Sequence, residues 1–151
     1  MFTDNQIISR LVVTVILSGF IGFERQLHKR TAGLRTHILV ALGSCLIMLT
    51  SLYVFDIYKD ITKADPARIA AGVITGIGFL GAGTIIQERE GVRGLTTAAS
   101  LWVVAGIGLA CGCGFLKAAI YTTVLALTVL FLLRYFEELI FTQDKGKETK
   151  R

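Results

Sequence analysis

Five apolar runs separated by short charged stretches take up most of this chain of 151 residues. They cover 11–23 (extended back over Ile7 and Ile8), 37–55, 69–86, 96–116 and 118–133. A water-soluble domain rarely contains several such runs, whereas a bilayer requires them, because about 20 apolar helical residues cross its hydrocarbon core. Within that core every backbone amide and carbonyl must find a partner inside the protein, so runs of this length read as helices. The expected fold class is therefore all-α integral membrane, with five transmembrane helices in one domain over 1–141 and a disordered charged tail over 142–151. Arg10 lies near one end of the first run, where a long side chain snorkels to the interface. The opening MFTDNQ has no basic n-region, and Glu24-Arg25-Gln26 follows the first run in place of a small-residue cleavage site, so that run reads as a retained helix.

Charge supplies the expected orientation. With five crossings, eleven of the 16 basic residues fall on one side: Arg25, Lys29, Arg30, Arg35, Arg89, Arg93, Arg134, Lys145, Lys147, Lys150 and Arg151. Arg10, Lys59, Lys63, Arg68 and Lys117 fall on the other. The positive-inside rule then places the N-terminus outside and the C-terminus in the cytoplasm. A net charge of +5 spread over loops and tail is no nucleic-acid signal, because no compact basic domain carries it. Cys45, Cys111 and Cys113 sit inside apolar runs, and C-x-C on a helix directs two thiols about 200° apart. They read as packing residues, with no metal site and no cofactor implied.

The loops repeat. Residues 19–37, GFIGFERQLHKRTAGLRTH, and 78–97, GFLGAGTIIQEREGVRGLTT, each open on Gly-Phe-(Ile/Leu)-Gly and close on Gly-Leu-x-Thr. A repeated phrase that includes a loop suggests a repeated unit: a parallel repeat of two helical hairpins, helices 1–2 and 3–4, with helix 5 added after a Gly112-Cys113-Gly114-Phe115 turn. Asp65-Pro66 marks the start of helix 3. Small residues recur at helical spacing: Gly72 and Gly76, Gly108 and Gly112, the series Gly106, Ala110, Gly114, and Ser18 with Gly22. In lipid, where hydrocarbon gives no hydrophobic drive between helices, small residues let backbones approach and gain dispersion contacts. Helices 3 and 4 are accordingly expected as the inner pair. Glycines that break helix 3 to expose carbonyls to an ion are the functional alternative.

No Asp, Glu, Lys or Arg sits in the middle of a span, where pumps and charged-solute carriers usually keep one. No nucleotide, zinc or nucleophile motif appears, so an enzyme is not expected. The candidate functional cluster lies at the cytoplasmic face: Glu24, Arg25, Arg35, Thr36, His37, Arg93, Thr96 and Thr97. Two helix N-termini there would offer amides capped by Thr36 and by Thr96 or Thr97, beside arginines suited to an anion such as an anionic lipid head group. Glu24 is expected to pair with Arg35 or Arg93. Ordinary orientation anchors and helix caps account for each residue singly.

The stretches GFERQLHKRTAGLRTHILVALG, DPARIAAGVITGIGFLGAGTII and VRGLTTAASLWVVAGIGLACGCG closely resemble the MgtC/SapB family of bacterial inner-membrane proteins, from about Gly19 to Gly114. The resemblance implies a multi-pass plasma-membrane protein linked to magnesium-limited growth and, in intracellular pathogens, to survival in the host. It further implies regulation through partner membrane proteins, ATP synthase among them. Family members often carry a small cytosolic domain after the helices, and this chain reads as a short member without it. The matching motif positions are Glu24, Arg25, Gly33, Arg35, Thr36, His37, Gly94, Thr96, Thr97 and Trp102. A non-enzymatic regulator is the leading expectation, and a small cation or solute transporter with a site between helices 1–4 the alternative. A homodimer is compatible with the small-residue faces.

Overall fold

A computed structural model describes residues 2–61, 65–89 and 91–148, the stretch 134–148 by its backbone alone. Five helices, α1 (Asp4–Leu27), α2 (Leu34–Tyr58), α3 (Pro66–Thr84), α4 (Leu95–Cys113) and α5 (Leu116–Glu148), are each long and apolar enough to cross a membrane. The all-α membrane architecture is as expected, with one small addition, an antiparallel ribbon of β1 (Ile86–Glu88) and β2 (Gly91–Arg93) between α3 and α4. Ile86 pairs with Arg93 and Gln87 with Val92.

Local chemistry sets the helix ends. At the start of α1, the Thr3 hydroxyl accepts from the Gln6 amide, and Gln6 Oε1 accepts from the Thr3 amide at 3.1 Å, a reciprocal cap. Asp65 caps α3, accepting from the Ala67 amide at 2.8 Å, with Pro66 in the first turn. Between α4 and α5, Gly114 takes a left-handed φ of +86° and ends the helix. Arg10 guards this turn: its Nη1 donates to the Gly112 carbonyl at 2.6 Å while its guanidinium lies 4.3 Å from the Phe2 ring centre. One side chain thus satisfies a free carbonyl at a helix end and ties α1 to α4. The backbone carries α5 on to Glu148, so 142–148, expected as disordered tail, continue the helix; 149–151 lie outside the described residues.

The order of contacts fixes the relative directions. His37 meets Ser100, Gly108 approaches Ala41 and Ser44, and Gly112 approaches Cys45 and Met48. Both numbers rise together, so α2 and α4 run parallel. Gly22 of α1 lies against Leu34 and His37, while Arg10 reaches Gly112, so α1 runs opposite to both. Gly81 meets Ala98, and Ser51 donates to the Pro66 carbonyl, which sets α3 opposite to α2 and α4 as well. His28 and Phe131 meet edge to face at 6.5 Å, so α5 follows α1. The connection 28–33 and the ends of α3 and α4 at Thr84 and Leu95 therefore lie at one end of the bundle, and Tyr58, Pro66 and the α4–α5 turn at the other.

At the centre stands the pair α2–α4, not α3–α4. Half of the α4 span is buried, against 22% for α3 and 11% for α5. Ile21, Ala41, Cys45, Leu49, Val104, Ile107, Cys111 and Ala119 form the main core. The close backbone approaches belong to Gly22, Gly108 and Gly112; a Cβ on Gly108 would lie 2.2 Å from the Ala41 carbonyl oxygen. Gly72, Gly76 and Gly106 instead have open space where a Cβ would stand. The first two line an apolar groove between α2 and α3, of about 650 Å³, that also exposes Gly43. Glycine density thus marks α3 as a thin wall of this groove and not as an inner helix. Ala110 is partly buried against the core, and Gly114 serves the turn.

Candidate functional site

The loop end of the bundle gathers the charged residues. There α1 closes in a Schellman turn: the Arg30 amide bonds to the Arg25 carbonyl at 3.1 Å, and the Lys29 amide to the Gln26 carbonyl at 3.0 Å. Lys29 occupies the left-handed position of that turn, φ +50°, where glycine is usual. The chain reverses at once and starts α2 at Leu34, whose amide is capped across the turn by Gln26 Oε1 at 3.2 Å. The N-cap residues are Gly33 for α2 and Gly94 for α4, and neither supplies a side-chain cap. Thr36, Thr96 and Thr97 lie inside the first turns, so the expected threonine caps are not made. Gly94 needs its missing side chain: at φ +93° its Cβ would fall 1.9 Å from the Thr84 carbonyl oxygen.

Two polar groups are buried beneath this surface. Glu24 and Arg25 are 1% and 3% exposed and form a direct ion pair through Arg25 Nε and Glu24 Oε2. His28 Nδ1 lies 2.8 Å from Glu24 Oε1 and 2.8 Å from the Glu24 carbonyl oxygen. Its single hydrogen is aligned with the carbonyl, and Oε1 has no hydrogen bond of its own. Glu24 therefore pairs with its neighbour Arg25 and lies beside His28, and does not pair with Arg35 or Arg93. Arg35 is exposed, and Arg93 Nε pairs with Glu88 at 3.1 Å on the ribbon.

The second group joins the central helices. His37, fully buried, places Nδ1 2.8 Å from the Gly33 carbonyl oxygen and Nε2 2.9 Å from Ser100 Oγ. The carbonyl only accepts, so Nδ1 carries the hydrogen and Nε2 of the neutral ring takes one from Ser100. Ser100 Oγ also lies 2.8 Å from the Thr97 carbonyl oxygen, so its hydroxyl hydrogen has two acceptors within reach. Removing it with Ser100→Ala leaves Nε2 buried without a donor, and about 1–3 kcal/mol of stability should be lost, as read by thermal unfolding of the purified protein in detergent.

A concave surface lies over these groups. Lys29, Arg30 and Thr31 from the first loop, with Val92, Arg93, Gly94, Leu95, Thr96 and Thr97 from the second, line one cavity of about 670 Å³. Of the candidate residues, Arg93, Thr96 and Thr97 thus share a wall; Glu24, Arg25 and His37 lie buried; Arg35 and Thr36 are exposed. Lys29, Arg30, Thr31, Gln26, His28 and Ser100 are additions to the sequence-based cluster. For Ser100 a signal was present, since it follows Thr97 by nearly one helical turn and so shares its face. The Gln26 cap depends on how the chain turns back and has no sequence signature.

Known proteins carry this arrangement of sequence. A family model described as the MgtC family matches residues 11–139. The chain is 46% identical over 138 residues to the Escherichia coli K12 protein named "Putative magnesium transporter YhiD", covering 90% of this chain and 63% of that one. It is 47% identical over 127 residues to Protein MgtC of Salmonella typhimurium LT2, covering 84% and 52% respectively. An uncharacterized protein of Haemophilus influenzae is 35% identical over 148 residues, covering 95% and 62%. The chain thus spans between half and two thirds of the length of these relatives. No solved structure matches.

Proposed function

The chain belongs to the MgtC family, and from that premise we propose that this multi-pass membrane protein is a non-enzymatic regulator of the bacterial inner membrane. In this reading it serves adaptation to low magnesium by engaging a partner membrane protein. The loop end faces the cytoplasm, and the two hairpins α1–α2 and α3–α4 are one unit used twice. One observation carries the choice of regulator over transporter: the central contact between the hairpins, α2 against α4, is filled, and the groove beside it between α2 and α3 is apolar. Gly108 and Gly112 bring the α4 backbone onto α2, and Ile21, Ala41, Cys45, Val104 and Ile107 pack around them. The buried hydroxyls of Thr14, Ser18, Ser44 and Thr123 within the spans are also occupied, each donating to a carbonyl of its own helix. Thr14 bonds to Arg10 at 2.7 Å, Ser18 to Thr14 at 2.6 Å, Ser44 to Val40 at 2.8 Å and Thr123 to Ala119 at 2.8 Å. A hydrated cation crossing there would meet packed methyl groups and hydroxyls already engaged, in a medium where bare charge is expensive.

Partner engagement is then the work of the exposed charges, and Arg35 is the clearest of them because it lies outside the buried pairs. Arg35→Glu should abolish rescue of low-magnesium growth in a strain lacking the protein, while the amount in the membrane stays at the wild-type level. Full rescue by Arg35→Glu would remove Arg35 from the contact. Magnesium uptake by proteoliposomes holding the chain alone, above that of empty vesicles, would replace the regulator with the transporter.

A further inference from the structure

Two stretches more than 60 residues apart in the sequence, 29–31 and 92–97, wall the same cavity at the loop end. Orientation in a membrane asks only that cations flank the spans. It does not ask them to converge on one hollow. Here Lys29, Arg30 and Arg93 do converge, with the hydroxyl-bearing Thr31, Thr96 and Thr97 between them. No carboxylate lines the cavity among the described residues, and Glu88 reaches only Arg93, on the ribbon. The first turn of α4 enters the same space without a side-chain cap, so its outward amides add donors to those of the side chains. At about 670 Å³ the cavity falls in the range of small-molecule sites, about 300–1,000 Å³. Lys29 stands out further because its backbone, at φ +50°, would be met more easily by glycine.

Cationic side chains, hydroxyls and backbone amides, with one carboxylate at the margin on Arg93, are the donor set for a tetrahedral oxyanion. We propose that this cavity binds a phosphate group, presented by an anionic lipid headgroup of the adjoining leaflet or as free phosphate. The floor of the cavity is tied to the buried joint, because the Thr97 carbonyl lies 2.8 Å from Ser100 Oγ, and Ser100 meets His37. A bound phosphate therefore touches α4 one turn from the contact that holds α4 to α2. The proposal stands apart from the regulatory reading, since binding is measured without a partner or a growth phenotype.

The test uses the full chain in a neutral detergent. One arm adds inorganic phosphate against chloride at equal ionic strength; the other adds phosphatidylglycerol against phosphatidylcholine. Thermal stabilisation gives an apparent affinity in each. Stabilisation by phosphatidylglycerol alone identifies the headgroup as the source, and stabilisation by inorganic phosphate identifies free phosphate. In the double variant Lys29→Gly/Arg30→Gln the apparent affinity should fall roughly ten-fold or more, the reading of a lost charge-assisted hydrogen bond. Lys117→Gln, at the opposite end, should bind as the wild type does. Glycine suits the backbone at position 29, so the fold is kept; should the double variant not fold, the exposed Arg93→Gln carries the same expectation. No stabilisation in either arm, or wild-type affinity in a folded variant of these three residues, overturns the proposal.

Discussion

Replacing Glu24 by alanine should cost the bundle about 3–5 kcal/mol, the loss expected when one member of a buried ion pair is removed and the other stays behind. Arg25 is 3% exposed, and its guanidinium has Glu24 as its ion-pair partner. Without the carboxylate, that charge sits under the turn 28–33 with no counterion, and the end of α1 must open to hydrate it. The companion variants separate loss of the pair from loss of packing. Arg25→Met alone should also destabilise, by leaving the carboxylate buried. The double variant Glu24→Leu/Arg25→Met should recover most of the loss, because apolar side chains of similar volume carry no desolvation cost. Chemical unfolding of the four proteins in one detergent gives the cycle. A double variant as unstable as the sum of the singles would mean that the pair acts through shape and not through charge.

Gly108→Ala should separate the central helices. The added methyl would stand 2.2 Å from the Ala41 carbonyl oxygen and 2.8 Å from Ser44 Cβ. A backbone carbonyl inside a helix cannot rotate away, so α2 and α4 must move apart and lose contact along the whole pair. The expected loss is about 3 kcal/mol, at the upper end for an overpacked core, and it should appear as reduced accumulation and a lower unfolding temperature. Gly106→Ala, two residues away with open space before it, should leave both unchanged. Equal effects at the two positions would show that helix flexibility matters there and not close approach.

These two positions also show how far the residues alone can be read. The five spans were legible because hydrocarbon imposes one demand on every residue inside it, and runs that meet the demand are plain in the sequence. The Asp65-Pro66 start and the turn at Gly114 were legible for the same kind of reason, each resting on a strictly local constraint. Which glycines meet a neighbour was not. Gly72-x-x-x-Gly76 and Gly108-x-x-x-Gly112 are the same pattern, yet the first borders an open groove and the second carries the central contact. The difference lies in what stands opposite, which depends on the arrangement of all five helices. The ribbon 86–93 escaped notice because strands of three residues leave no periodicity to detect.

The charged end follows the same division. That Glu24, Arg25, Arg93 and Thr97 belong to one region was readable, since the charges can lie only between spans and both loops emerge together. Their pairings were not readable. Glu24 turns to the adjacent Arg25 and to His28 because the Schellman turn folds the chain back over them. Glycines took the cap positions expected of threonines because Gly94 passes so near Thr84 that no side chain fits.

The last helix has a consequence for anything attached beyond the bundle. At 33 residues α5 is about 50 Å long, while the hydrocarbon layer is about 30 Å thick. Phe131 sits level with His28 at the loop end, and from there the helix continues to Glu148 as a shaft of about 25 Å. A shaft of this kind conveys azimuth as well as height. Each residue removed from it lowers its tip by about 1.5 Å and swings it by about 100° about its own axis, so the spacing between membrane and tip cannot be trimmed without also changing the direction the tip faces.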